Sequence, residues 1–151
     1  MHKTVQNLIS IQSAIKSKLL TLNVKHRIPK IIAVSKTFKI EHILPLIDYG
    51  HIDYGENKVQ EALEKWENIK SKNDKINLHL IGKLQTNKVK FAVKIFDFIH
   101  SLDNEKLAKK IAEEQVKQQK RPKIFIQINV GLESQKSGIH KKNLLEFYNF
   151  S

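Results

Sequence analysis

One lysine of this chain stands where an amine could do chemistry. Lys36 ends a segment that begins at Lys30 and contains four consecutive apolar residues, three of them β-branched. Such a run predicts a strand buried on both faces, as in a parallel sheet. A partly desolvated lysine at the carboxyl end of that strand can lose its proton and attack an aldehyde, forming a Schiff base. Lys36 is therefore the first candidate site residue.

Polar and glycine residues also follow the other predicted strands. These segments are 35–37, 55–58, 82–88, Ser101 with Asp103, and Asn129 with 136–138. The carboxyl ends of parallel strands meet at one edge of a sheet, where α/β folds build their active sites. Glycines let backbone approach a flat ring, and amide side chains can orient the ring's substituents. We therefore hypothesise that Lys36 carries a covalently bound pyridoxal phosphate.

Each candidate residue also has a simpler interpretation. Lys36 is one of 25 lysines, and most lysines are solvated surface charges. Asn57 opens a capping-box pattern and could simply cap the following helix. Gly82 and Asn129 could serve the turns in which they lie, and His79 suits a packed or hydrogen-bonded core position. The residue types alone leave these alternatives open.

The composition restricts the classes of function. The chain has no cysteine, which excludes disulfides, thiolate metal sites and a cysteine nucleophile, and is compatible with a reducing cytoplasm. The seven histidines show no metal-binding spacing, so no metal site is expected. We find no signal-peptide pattern and no apolar run long enough for a membrane span. The sequence thus favours a cytoplasmic protein.

The net charge of +12 raises the question of polyanion binding. Only two of the 27 basic residues are arginines, and the lysines are scattered over nearly every predicted helix. A protein that reads nucleic acid is expected to cluster its cations, to favour arginine and to interleave aromatic residues. The pattern therefore favours a lysine-rich surface over a nucleic-acid-binding module, which remains an alternative.

The apolar periodicity predicts strands and helices that alternate along the chain. An amphipathic helix over residues 3–22 precedes a linker from Asn23 to Pro29 and the strand that ends near Lys36. The later predicted strands are 51–56, 76–81, 96–100 and 123–130. Of the predicted helices between and after them, a short one ends at Gly50, others begin at Asn57, Thr86 and Asp103, and the last spans 144–150. This alternation predicts a parallel α/β sheet, either doubly wound or barrel-shaped. Because neither glycine-rich nucleotide fingerprint is present, we favour a (β/α)8 barrel.

Four segments, in this order, resemble the pyridoxal phosphate homeostasis protein family, whose fold is similar to the alanine racemase N-terminal barrel. They are AVSKT at 33–37, YGENKVQE at 54–61, HLIGKLQTNK at 79–88, and QINV at 127–130 followed by KSGI at 136–139. The resemblance implies that Lys36 forms the Schiff base and that Asn57 and Asn129 lie at the rim of the same pocket. With Gly82, these are the candidate cofactor-binding residues. It also implies a protein that holds and buffers the cofactor without turnover.

The chain departs from the family at several positions. Tyr54 stands where the family commonly has phenylalanine, Lys58 where it has an aromatic residue, and Lys83 where it has proline. The family's Ser-Met-Gly-Met-Ser and Arg-Ile-Gly runs are missing, and with them the expected cradle for the cofactor phosphate. We therefore expect residues 1–151 to form a single, incomplete barrel domain of about five parallel strands with an extra N-terminal helix.

An incomplete barrel has physical consequences. A five-stranded arc cannot close, so the outer edges of its first and last strands are expected to be unpaired. We expect weak cofactor binding, and either a non-functional fragment or half of a split gene product that needs a partner chain. A pyridoxal-phosphate-dependent racemase-like enzyme using the same lysine is the alternative, but such enzymes add a β-domain and further catalytic residues after the barrel.

Overall fold

The computed structural model describes residues 1–24, 28–131, 133 and 135–151. Residues 25–27, which belong to the predicted linker, lie outside the described residues. In the described part of the chain, no helix has both the length and the apolar character required to cross a bilayer.

Five parallel strands form the main sheet, in the order β1-β2-β3-β4-β5. They are β1 (Ala33–Val34), β2 (Asp53–Glu56), β3 (Asn77–Leu80), β4 (Phe98–Leu102) and β5 (Lys123–Ile126). Each strand pairs with the one before it in the chain, whereas a doubly wound sheet reverses its strand order at one point. The strand order is therefore that of a (β/α)8 barrel, as the sequence predicts, with five strands present.

Helices precede, connect and follow the strands of the main sheet. They are α1 (Lys3–Thr21), α2 (Leu44–Asp48), α3 (Val59–Lys72), α4 (Val89–Ile95), α5 (Glu105–Gln118) and α6 (Leu144–Phe150). Helices α2 to α5 connect the strands, α1 precedes β1, and α6 comes after β5 in the chain. The predicted helix over 3–22 is confirmed, and the predicted short helix before Gly50 is a single turn with Pro45 near its start, where no backbone N–H is needed.

The core lies between the sheet and the helices that follow each strand. Tyr54 of β2 packs on Trp66 of α3 with ring centroids 4.7 Å apart, and both side chains are fully buried. Leu78 and Ile99 extend this layer along β3 and β4, and Leu107 of α5 closes it. Burial of such side chains stabilises the fold by about 1.5 to 3 kcal/mol each.

The first strand is shorter and less buried than the sequence predicts. Only Ala33 and Val34 pair with β2, and Val34 is 47% exposed rather than buried. The physical reason is that β1 is the edge strand, and Val34 lies on the face opposite the helices, where no further strand covers it in the described structure. The prediction of a strand buried on both faces is therefore wrong.

Two predictions for α5 also need correction. Asn104, not Asp103, caps the helix by accepting a hydrogen bond from the backbone N–H of Leu107 at 2.9 Å. The helical period that buries Leu107 and Ile111 would also turn Ala112 and Val116 inward, but both are exposed. The buried stripe ends at Glu114, whose carboxylate is satisfied by side chains of the same helix, Lys110, Lys117 and Gln118. Lysine and glutamine neighbours thus replace apolar packing over the last turn.

Other boundaries differ by a few residues. Strand β4 begins at Phe98, two residues later than predicted, because the backbone of Phe96 still completes the last turn of α4. Thr86 does not cap α4: it begins a turn of 3₁₀-helix over Thr86–Lys88, and within the described structure its N-cap residue, Gln85, makes no capping side-chain bond. The predicted fifth strand divides at Gln127 into β5 and a short β6 (Ile128–Asn129), which pairs in parallel with β7 (Ile139–His140).

Candidate functional site at the carboxyl edge of the sheet

Three candidate residues follow neighbouring strands at the same edge of the sheet. Val34 of β1 is in register with Gly55 of β2, so Lys36 and Asn57 each lie two residues beyond a paired position. The backbone N–H of Ile81 donates to the carbonyl of Glu56 at 2.9 Å, and Gly82 follows directly. The structure therefore brings Lys36, Asn57 and Gly82 onto three adjacent strand ends.

Lys36 is more accessible than the sequence predicts. Its side chain is exposed, whereas we expected partial desolvation. Because β1 is the edge strand, β2 is the only strand of the described structure that lies beside the segment that carries it. Among the described residues no group forms a hydrogen bond or ion pair with its amine. The amine is thus open to a ligand that approaches from solvent.

Asn57 does not cap α3. The helix begins at Val59, its N-cap is Lys58, and among the described residues the Lys58 side chain makes no capping hydrogen bond. Within the described structure the half-buried amide of Asn57 makes no hydrogen bond, so its donor and acceptor are available to a ligand. The capping-box prediction is wrong because α3 starts one residue too late for it.

Gly82 lets two loops of this edge approach each other. A Cβ atom built on Gly82 would lie 2.2 Å from the carbonyl oxygen of Asn57, far closer than any real contact. The loop after β3 can therefore pack on the loop after β2 only because residue 82 has no side chain. Gly82 serves this close approach, and a direct contact with a ligand stays a prediction.

Asn129 also follows a strand at the carboxyl edge, but it lies in β6, beyond β5, the strand farthest from β1 in the main sheet. Its side-chain amide donates to the carbonyl oxygens of Glu133 at 2.8 Å and Lys136 at 3.3 Å, so it holds a turn. Gly138, with φ of 122°, packs so closely on Asn129 that a Cβ atom would lie 2.7 Å from its backbone nitrogen. Its predicted role at the rim of a shared pocket remains a prediction.

A cavity of about 520 Å³ lies beside this turn. Lys83 from the loop after β3 lines it together with Asn129 and Lys136. The Lys136 ammonium forms an ion pair with Glu133, while Lys83 leaves one positive charge near the cavity without an ion pair among the described residues. Lys83 therefore adds positive charge at the carboxyl edge of the sheet, which favours anionic ligands.

A buried polar network beneath Lys36 was missed at the sequence level. Oε1 of the fully buried Glu56 accepts hydrogen bonds from the Ser35 hydroxyl at 2.8 Å, the Lys65 ammonium at 2.9 Å and the Trp66 indole at 2.9 Å. Oε2 of Glu56 has no partner within the described structure. In the sequence, Glu56 ends the predicted second strand, among the polar residues of the carboxyl edge. Glu56 lies two residues after Tyr54, whose ring faces the helices. Because alternate residues of a strand point to the same face, this spacing predicts that the Glu56 side chain points toward α3.

The opposite face of the sheet carries a second polar group. His79 of β3 is 4% exposed; its Nε2 lies 3.1 Å from Oδ1 of Asp53, and its Nδ1 lies 3.0 Å from Nε2 of His100. The ring stacks on Phe98 with centroids 4.2 Å apart. Burial lowers the pKa of His79, and the nearby Asp53 partly opposes this effect. Burial also lowers the pKa of His100, with a smaller contribution from the neighbouring His79. The prediction of a hydrogen-bonded core histidine is confirmed.

The described residues contain no group of three or more histidine and carboxylate side chains arranged to hold a metal ion. What the carboxyl edge offers instead is the accessible amine of Lys36, the free amide of Asn57 and the close loop contact at Gly82, with the charge of Lys83 nearby. This donor set suits a flat, anionic aldehyde better than a cation.

Comparisons with known proteins place this chain among its relatives. Residues 11–150 match the family model described as alanine racemase, N-terminal domain. A protein of Pasteurella multocida named pyridoxal phosphate homeostasis protein is 36% identical over 93% of this chain and 60% of its own length. The chain thus spans about 60% of the length of that relative.

Solved structures extend the comparison. PipY of Synechococcus elongatus, solved without PLP, superposes with a TM-score of 0.74 and 31% identity, covering 90% of this chain and 64% of that chain. The PLP-bound structure of PipY gives a TM-score of 0.70 and 29% identity, covering 91% of this chain and 65% of that chain. Since the family model spans nearly the whole chain, this protein belongs to the alanine racemase N-terminal-domain family.

Proposed function

We propose that this chain binds pyridoxal phosphate at the carboxyl edge of its sheet and holds it as part of the cofactor's homeostasis, without turnover. The observation that carries the proposal is the convergence of Lys36, Asn57 and Gly82 on adjacent strand ends. The relative named for pyridoxal phosphate homeostasis and the PLP-bound structure of PipY support the choice of cofactor. A single domain over residues 1–151 and a cytoplasmic location stay predictions from the sequence.

Each residue has a distinct role in this proposal. When bound, the cofactor supplies an aldehyde carbon that an unprotonated amine can attack. Lys36 provides that amine, and its exposure leaves it accessible. The free amide of Asn57 can bond to a polar ring substituent, and Gly82 keeps the two loops close enough to share one ligand. Lys83 adds positive potential that attracts the phosphate.

We further propose that a second chain supplies strands that complete the barrel. In the described structure β1 and β5 each pair on one side only. Val34 and Phe125 lie on the face of the sheet opposite the helices and are about half exposed, at 47% and 49%. Unpaired edges beside an apolar face favour the addition of further strands. Mixing with a polypeptide that covers the remaining length of the Pasteurella relative should give a stoichiometric complex by light scattering, and two separate masses would contradict this proposal.

The covalent attachment is tested by trapping. Purified protein is mixed with pyridoxal phosphate, reduced with borohydride and digested, and the modified lysines are identified by mass spectrometry. We expect preferential labelling of Lys36, and loss of that label in Lys36→Ala. Lys39→Ala removes an exposed lysine from the same loop and is the matched control, which should leave labelling of Lys36 unchanged.

The outcome that contradicts the proposal is equally clear. A label spread evenly over the 25 lysines would show that the aldehyde reacts with any solvated amine. The absence of turnover is tested separately, by incubating the cofactor-treated protein with L-alanine and measuring D-alanine. Formation of D-alanine that depends on Lys36 would favour a racemase-like enzyme instead.

A further inference from the structure

The backbone on both sides of Lys36 is held by side chains of one helix, α3. On the amino side, the carbonyl oxygen of Ser35 accepts a hydrogen bond from the Lys65 ammonium at 2.9 Å. On the carboxyl side, the backbone N–H of Thr37 donates to Oε1 of Glu61 at 2.7 Å. The two α3 residues are four apart, on one face of the helix, and Lys65 Nζ lies 3.4 Å from Oε1 of Glu61.

Thr37 adopts a conformation that needs such support. Its φ of 65° lies in the left-handed region, which is unfavourable for a β-branched residue. The bond to Glu61 is short and charge-assisted, which compensates for this conformation. The same bond is the main reason that the pKa of the Glu61 carboxyl is lowered. The residue after Lys36 is thus fixed in an uncommon geometry by a group outside the loop.

Lys65 connects this contact to the protein interior. Its ammonium is nearly buried and bonds to Oε1 of Glu56, which is fully buried at the end of β2. The position of Lys65 is therefore set by the sheet as well as by α3. Movement of the loop relative to β2 would break bonds to Ser35 and Thr37 together.

We propose that Glu61 and Lys65 are positioning residues, which fix the Ser35–Thr37 backbone from both sides and so restrict where the Lys36 amine can react. This inference rests on the proposed function, because it concerns the same lysine. Neither residue needs to touch the cofactor. Their effect is to raise the fraction of time that the loop spends in the one conformation that presents Lys36 beside Asn57.

The test compares the rate of borohydride-trapped pyridoxal phosphate labelling at Lys36 with the rates at the other lysines of the same molecule. In Glu61→Ala we expect the Lys36 rate to fall about tenfold, the effect of losing one charge-assisted hydrogen bond, with the other rates unchanged. Glu61→Gln keeps an oxygen that can accept the Thr37 N–H and should recover most of the rate. Lys65→Met keeps the buried stem and should lower the Lys36 rate at least as much as Glu61→Ala, because it removes the bond to Ser35 and also the buried counter-ion of Glu56.

Two controls separate positioning from stability. Glu64→Ala removes an exposed carboxylate from the same helix that bonds only to Gln60 in the described structure, and should leave the Lys36 rate unchanged. Ile111→Val mildly destabilises the core at a buried position of α5, away from the Lys36 loop in the sequence. It should also preserve the preferential labelling of Lys36. The positioning role is wrong if Lys36 is labelled as fast in Glu61→Ala as in the unmodified chain. It is also wrong if Ile111→Val reduces the preferential labelling of Lys36 as much as Glu61→Ala does. If the unmodified chain shows no preference for Lys36, the proposed function itself fails.

Discussion

Replacing Glu56 with glutamine tests whether the buried network, rather than apolar packing alone, holds the first two strands and α3 together. The carboxylate is fully buried and accepts three hydrogen bonds on one oxygen, from Ser35, Lys65 and Trp66. Glu56→Gln preserves the shape and an acceptor oxygen but removes the charge. Lys65, with 9% of its side chain exposed, then loses its buried counter-ion.

The magnitude follows from the kind of interaction that is lost. Removing one partner of a buried ion pair typically costs about 3 to 5 kcal/mol, because the other charge stays buried. Lys65 keeps its bond to the Ser35 carbonyl and a longer contact to Glu61, so we expect about 3 kcal/mol. Unfolding in urea is followed by fluorescence of Trp66, which is the single tryptophan of the chain and donates to Glu56 itself.

The matched control is a surface ion pair between α3 and α4. Glu67 pairs with Lys94, but the two side chains are 58% and 56% exposed, so Glu67→Gln should change the free energy of unfolding by less than about 1 kcal/mol. In the double variant Glu56→Gln with Lys65→Met, the loss should be smaller than the sum of the single losses, since no buried charge is left alone. A Glu56→Gln loss no larger than that of Glu67→Gln would refute the reasoning.

Three further predictions concern stability. Burial lowers the pKa of His79 and of His100, so the unfolded chain takes up protons at a higher pH than the folded chain. The free energy of unfolding should therefore be complete above about pH 6.5 and decrease below it. Urea unfolding at pH 7.5 and 5.5 should show a smaller decrease in His100→Phe than in the unmodified chain. Gly82→Ala should cost about 2 kcal/mol or more in the same assay because its Cβ would strike the Asn57 backbone, whereas Gly131→Ala meets only the flexible Glu133 side chain and should cost less. Leu107→Ala, at a position 1% exposed, should cost about 2 to 5 kcal/mol, and Val116→Gln, at a position 77% exposed, less than about 0.5 kcal/mol by thermal melting.

The strand order and most elements follow from the sequence because alternating apolar runs and helical stripes leave few arrangements open. Leu107 and Ile111 are buried as the helical period requires. The period does not show where a stripe ends, and at Glu114 neighbouring cations and an amide replace the apolar contacts expected near Val116. Local charge compensation thus overrides a periodic pattern over the last turn of α5.

The candidate site was predictable in its parts but not in its support. Lys36, Asn57 and Gly82 could be brought together from the sequence, since parallel strands end at one edge. The bonds from α3 join Ser35 to a residue 30 positions later and Thr37 to a residue 24 positions later, and no short-range pattern encodes them. The exposure of Lys36 also escaped prediction, because a single apolar run cannot tell an edge strand from a central one.

The consecutive order of the five strands has a consequence for biosynthesis. Every strand pairs with the one synthesised just before it, so no later segment has to insert between strands that have already formed. The sheet can therefore extend one strand–helix unit at a time as the ribosome releases the chain, with modest loop-closure cost at each step. Assembly in the direction of translation is thus built into the topology of this protein.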